Sequence, residues 1–194
     1  MNGGRVGVVG LTVAVAFAVG SALMLFGRQP VPGVDAQPSP ASGVSAWVGT
    51  YRNRAGDGGA AAIGSAVDAG IESMGPLVER IARRRILASN PPFQTLRIEL
   101  DANELTVEFV GARRYRAPLG GAAATHRGPD GTEVRVSFRL RNGRLVERIE
   151  ADEGFSTNTY TLSDDARQLS LRSTMESDRL PAPITYTLRF RRES

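Results

Sequence analysis

Residues 133–152 read EVRVSFRLRNGRLVERIEAD. Val134, Val136, Phe138 and Leu140 alternate with Arg135, Ser137, Arg139 and Arg141, so one side of the pattern is apolar and the other polar. A period of two marks a half-buried β-strand, because successive side chains point to opposite faces of the pleat. Asn142-Gly143 follows at once, and Asn-Gly suits a type I′ turn, whose two central residues both need positive φ. A partner strand then runs from Arg144 to about Asp152. The stretch is an antiparallel hairpin, and it predicts antiparallel sheet on either side of it.

Towards the C-terminus, strands at 156–162, 168–177 and 184–191 continue a meander through turns at Asp164-Asp165-Ala166 and Leu180-Pro181-Ala182-Pro183. In the last strand Ile184, Tyr186, Leu188 and Phe190 share one face, which leaves Arg189 and Arg191 on the other. Towards the N-terminus lie weaker runs at 122–127 and 113–119. Before them a hairpin at 95–100 and 104–110 turns at Asp101-Ala102-Asn103, with Leu96, Ile98, Leu105, Val107 and Phe109 on its apolar face. A first strand covers 46–52, AWVGTYR, which brings the expectation to about ten strands in a barrel or strongly curved sheet.

One segment breaks this period. Ile63, Val67, Ile71, Met74, Val78 and Ile81 are spaced by 4, 4, 3, 4 and 3 residues, one stripe of an α-helix. Gly75-Pro76 interrupts it. Proline costs about 3 kcal/mol inside a helix but fits the first turn, so two short helices or one kinked helix are expected over about 61–89, ended by Asn90-Pro91-Pro92. Their stripe must bury itself either across a barrel mouth, as a lid, or on the outside of the sheet.

Residues 6–26 carry no charge, and at about 1.5 Å per residue they are long enough to cross a bilayer core of about 30 Å. Val34-Asp35-Ala36 offers the small residues of a signal-peptidase site, and residues 27–44 hold four prolines. The expected organisation is a signal peptide or membrane anchor at 1–36, a Pro-rich linker at 37–44 and the β domain at 45–194. That domain would be exported to the periplasm or outside the cell, or anchored to the inner membrane.

Composition excludes several chemistries. The 194 residues contain no cysteine, hence no disulfide, thiol nucleophile or lipid-modified cysteine, and one histidine, His126, is too few for a histidine-built metal site. All 24 basic residues are arginine, but 20 acidic ones leave a net charge of only +4, against a dedicated polyanion binder. Ser65, Asp68 and His126 could form a hydrolytic set only if the fold gathered them, and no Gly-x-Ser-x-Gly elbow is present. Asp152-Glu153 and Asp164-Asp165 read as solvated turns. No enzyme activity, cofactor, metal or nucleic-acid partner is expected. Arg80, Arg83, Arg84 and Arg85 form the one dense basic cluster; it reads as a solvated helix end, or as arginines whose stems cover apolar surface while the guanidinium meets an anionic group.

Taken together, Trp47-Val48-Gly49-Thr50-Tyr51 in a first strand, a helical pair directly after it and some nine further antiparallel strands resemble the intracellular fatty-acid-binding proteins of the lipocalin-like calycin group. The resemblance runs from about Ala46 to Arg192. It implies a ten-stranded barrel capped by helix-turn-helix and an internal arginine for a ligand carboxylate. Arg189 and Arg191 do not match that arginine, since alternation puts both on the polar face. The helical insertion is longer than the family's, and the apolar leader is a further departure. The expected function is an exported binding module for an apolar or amphipathic small molecule, with Phe109, Phe138, Tyr186 and Leu188 from the strands and Arg84 and Arg85 from the helix as candidate ligand contacts. The alternative is a structural or protein-interaction domain of the cell envelope with a packed interior.

Overall fold

The computed structural model describes residues 43–194. The apolar run at 6–26, the cleavage site after Ala36 and the linker up to residue 42 lie outside the described residues. Ten strands form one antiparallel sheet: β1 (Gly49–Asn53), β2 (Thr95–Asp101), β3 (Glu104–Phe109), β4 (Arg113–Pro118), β5 (Ala124–Arg127), β6 (Glu133–Arg141), β7 (Arg144–Ala151), β8 (Gly154–Leu162), β9 (Gln168–Glu176) and β10 (Ile184–Arg192). Two helices, α1 (Ala60–Ile71) and α2 (Pro76–Ser89), are inserted after β1.

The sheet order is β4-β3-β2-β1-β10-β9-β8-β7-β6-β5, so the first strand pairs with the last and the two free edges are β4 and β5. These edges approach each other, and the sheet is a nearly closed barrel. Beyond β4 the chain crosses to β6, where the Gly120 N–H donates to the Phe138 carbonyl at 2.7 Å. His126 on β5 reaches the β4 backbone. Its Nε2 lies 2.7 Å from the Arg116 carbonyl oxygen and 3.3 Å from the Arg116 nitrogen, and it donates to the first or accepts from the second according to tautomer.

Alternation sets the core. Leu96, Ile98, Leu105, Val107, Phe109, Val136, Phe138, Tyr186 and Leu188, expected on the inner face, are all buried, as is Leu171 of β9, and Arg189 and Arg191 are exposed. The turn between β6 and β7 has φ of +50° at Asn142 and +69° at Gly143, the left-handed pair that a type I′ turn requires.

The first strand begins later than its composition suggests. Ser45–Trp47 forms a 3-10 turn instead of extended chain, with Trp47 buried. Arg192 holds it there: one Nη2 donates to the carbonyls of Ala46 and Val48, each at 2.7 Å, and to the Tyr51 hydroxyl at 3.0 Å. Two carbonyls taken by one guanidinium bend the chain where a ladder would have kept it straight. Val44, the last residue of the Pro-rich stretch, is also part of the core.

The proline sits where its missing N–H costs least, in the first turn of α2. Asp57 starts α1: its carboxylate accepts from the N–H of Gly59 at 2.9 Å and of Ala61 at 2.8 Å. These donors belong to the orphan set at a helix start, and they hold the carboxyl of Asp57 below its ordinary range, Ala61 contributing most and Gly59 next.

Candidate functional site

The helical stripe divides at the proline. Ile63, Val67 and Ile71 of α1 are buried, whereas α2 buries no side chain and leaves Leu77, Val78 and Ile81 61%, 56% and 43% exposed. α1 lies against β10 on the side of its inward residues. A Cβ on Gly70 would land on Ile184 Cγ1, and one on Gly59 would come within 2.5 Å of Leu188 Cδ2. Ile184 and Leu188 share the buried face of β10 with Tyr186 and Phe190, while Thr185 and Thr187 are exposed. The helix therefore packs on the inner side of the sheet, the placement a lid requires. α2 is tied to α1 by an ion pair, Arg83 to Asp68 at 2.6 Å.

Among the candidate contacts, Phe138, Tyr186 and Leu188 are buried inner-face residues of β6 and β10, and Phe109 is their counterpart on β3. Arg84 and Arg85 are exposed on α2, outside that interior. The hydrolytic set is not assembled, since Asp68 is held by Arg83 and His126 by the backbone of Arg116. Among the described residues no group of three or more His, Cys, Asp or Glu could hold a metal ion, and no helix is long and apolar enough to cross a membrane.

The interior also contains polar residues that the sequence reading passed over. Cross-strand partners run in rows across β6 to β10. Leu140, Leu145, Tyr160, Leu171 and Leu188 form one row, and Val136, Ile149, Ser156, Met175 and Ile184 another. Between them run Phe138, Glu147, Asn158, Ser173 and Tyr186, all buried. A band of polar groups thus crosses an otherwise largely apolar wall. The signal was present in the sequence, because Leu145, Glu147 and Ile149 share one parity and alternation places Glu147 with its apolar neighbours.

Glu147 has no exposed surface. Its Oε2 accepts from Asn158 Nδ2 at 2.7 Å and from the Tyr160 hydroxyl at 2.6 Å. Burial first, and then the neighbouring Glu147, push the Tyr160 hydroxyl well above its ordinary value, so it remains a donor. Glu147 Oε1 and Asn158 Oδ1 are buried without a hydrogen-bond partner. Arg113, a half-buried residue of β4, acts on the Tyr160 hydroxyl, its charge opposing the rise there. Its guanidinium lies over the Phe109 ring, 4.1 Å from the centroid, and 5.7 Å from that of Tyr115, and its buried Nε also lacks a partner. Tyr115 is itself raised, by burial before any charge.

Other solved structures share this architecture. Apo lipid binding protein 8 of Caenorhabditis elegans matches with a TM-score of 0.51 at 13% identity, over 77% of this chain and 96% of that one. A secretory abundant heat soluble protein of Ramazzottius varieornatus matches at 0.50 with 12% identity, over 76% of this chain and 96% of its own. Fatty-acid-binding protein 1 of Echinococcus granulosus gives 0.48 at 12% identity, over 77% and 99%. At such identities the likeness is one of fold alone, a ten-stranded antiparallel barrel with two helices inserted after the first strand. No family model matches the chain, and no curated protein matches it.

Proposed function

We propose that this chain is an exported binding module whose barrel takes up an apolar or amphipathic small molecule through its helical cap. The observation that carries the reading is the unequal cap. α1 lies on the inner face of β10 with Ile63, Val67 and Ile71 buried, while α2 has no fully buried side chain and meets the core only through the half-buried Ala82, Ile86 and Leu87. A wall that is mostly apolar, with a few polar groups inside it, is the usual make-up of a small-molecule site. A helix whose core contacts are only half-buried gives up less apolar contact on moving aside than α1 would, so entry past α2 costs less than entry past α1. One of the proteins that share the fold is by name a lipid binder.

A second reading has its own support. Tyr51, Tyr160, Phe138, Phe190, Leu96 and Ile98 have no exposed surface, so the interior around them is filled by side chains. A barrel stabilised in this way could serve as an interaction domain of the cell envelope.

Native mass spectrometry, combined with organic extraction of protein purified gently from its native host, separates the two readings. Binding predicts a retained apolar molecule, or one acquired on incubation with an apolar fluorescent probe. Protein that stays empty and excludes such probes establishes the packed domain. Export, inferred from the uncharged residues 6–26, predicts a mature start near Gln37 or a full-length membrane-bound form by intact mass. Full-length protein in the soluble cytoplasm overturns it.

A further inference from the structure

The resemblance to fatty-acid-binding proteins leads one to expect a carboxylate ligand met by an internal arginine. The interior row across β6 to β10 has the opposite polarity. Carboxyl and amide oxygens are hydrogen-bond acceptors, and each is satisfied only by a donor. Both donors facing Glu147, from Asn158 and Tyr160, converge on Oε2. Glu147 Oε1 and Asn158 Oδ1 are left as two buried acceptors on cross-strand partners, with no donor for either. Such groups are costly to bury unpaired, and what would satisfy them is a donor. Arg113 does not supply one. Among the described residues it makes no ion pair with Glu147, and its guanidinium is stacked on Phe109.

We propose that Glu147 and Asn158 read the head group of the bound molecule, and that this head group is a hydrogen-bond donor without negative charge, the hydroxyl or ammonium end of an otherwise apolar chain. An ammonium head donates to both Glu147 Oε1 and Asn158 Oδ1 and a hydroxyl head to one of them, and the apolar rows on either side hold the chain. A carboxylate head in the same place brings only acceptors to two acceptors and must leave water without gaining a donor from either. The inference rests on the reading that the barrel binds a small molecule at all.

The test is a competition series on the unaltered protein, with displacement of a neutral apolar fluorophore by hexadecanol, hexadecylamine and hexadecanoate, which share one chain and differ in the head. The alcohol or the amine displaces the probe at least about tenfold more tightly than the carboxylate, and which of the two is stronger tells whether hydroxyl or ammonium is the natural head. Glu147→Gln exchanges one carboxyl oxygen for an amide N–H donor at nearly constant volume. The amine then weakens, the carboxylate gains, and the discrimination shrinks. A carboxylate that binds as tightly as the others, or more tightly, and weakens in Arg113→Gln overturns the inference and leaves the binding reading intact. No probe uptake and no binding by any of the three overturns both. The ranking on the unaltered protein does not depend on whether a variant folds.

Discussion

The two helices after β1 are of similar length, 12 and 14 residues, and both carry apolar residues at helical spacing, yet only one has fully buried side chains; the other meets the core through half-buried Ala82, Ile86 and Leu87. The difference lies in what surrounds the stripe. On α1 a glycine, Gly70, lies against Ile184, so the helix backbone can approach β10 closely enough for Ile63, Val67 and Ile71 to be covered. α2 carries Arg80, Arg83, Arg84 and Arg85 around its apolar residues. Their long, hydrated side chains keep that surface in water. Amphipathic spacing tells where a stripe lies, and the size of the neighbouring residues decides whether another element can reach it.

The largest expected effect tests this contrast directly. Ile71→Ala in α1 should destabilise the domain by about 2–5 kcal/mol, as a buried large-to-small change does, whereas Ile81→Ala in α2 should stay within about 0.5 kcal/mol. Denaturant unfolding of the two variants checks it, and equal costs would mean that α2 is as much part of the core as α1. Next comes close approach. Gly70→Ala puts a methyl on Ile184 and should cost about 1–3 kcal/mol, by the same measurement. Gly64→Ala, in the same helix but with only Arg83 Nη2 near, at 3.9 Å, should stabilise by up to about 1 kcal/mol through helix propensity. If both were neutral, helix and strand would be further apart than Gly70 implies.

The smallest effect belongs to the start of α1. The carboxyl of Asp57 is lowered by the N–H groups of Ala61 and Gly59, so its folded value lies below its unfolded one. The linked stability is fully present above the unfolded value of about 3.9 and is lost as pH falls through the folded one. Asp57→Ala should therefore lower Tm slightly at neutral pH, and the gap to the unaltered protein should close as the pH is taken below about 4. A gap that does not depend on pH would remove the capping carboxylate as its cause.

Much of the fold was legible because its signals are local. The stretch around Asn142-Gly143 gave both hairpin strands nearly residue for residue, since alternation records which face each side chain must bury and the turn records where the chain must reverse. The start of β1 was misplaced because the residue that bends 46–48 is Arg192, at the other end of the domain. Glu147 was legible by parity as an inner-face residue but was not picked out. Its partnership with Asn158 needs the register of β7 with β8, and the idle Oε1 needs coordinates.

Strand number, antiparallel class, the helical break at Gly75-Pro76 and the inner-face residues were determined by the sequence alone, because each depends on a residue and its near neighbours. Closure of β1 onto β10, the inner placement of α1, the exposure of α2 and the gathering of Glu147, Asn158 and Tyr160 were decided only by the tertiary structure. These depend on which distant strands meet and in what register, and a period of two or of 3.6 specifies a face without naming what will cover it.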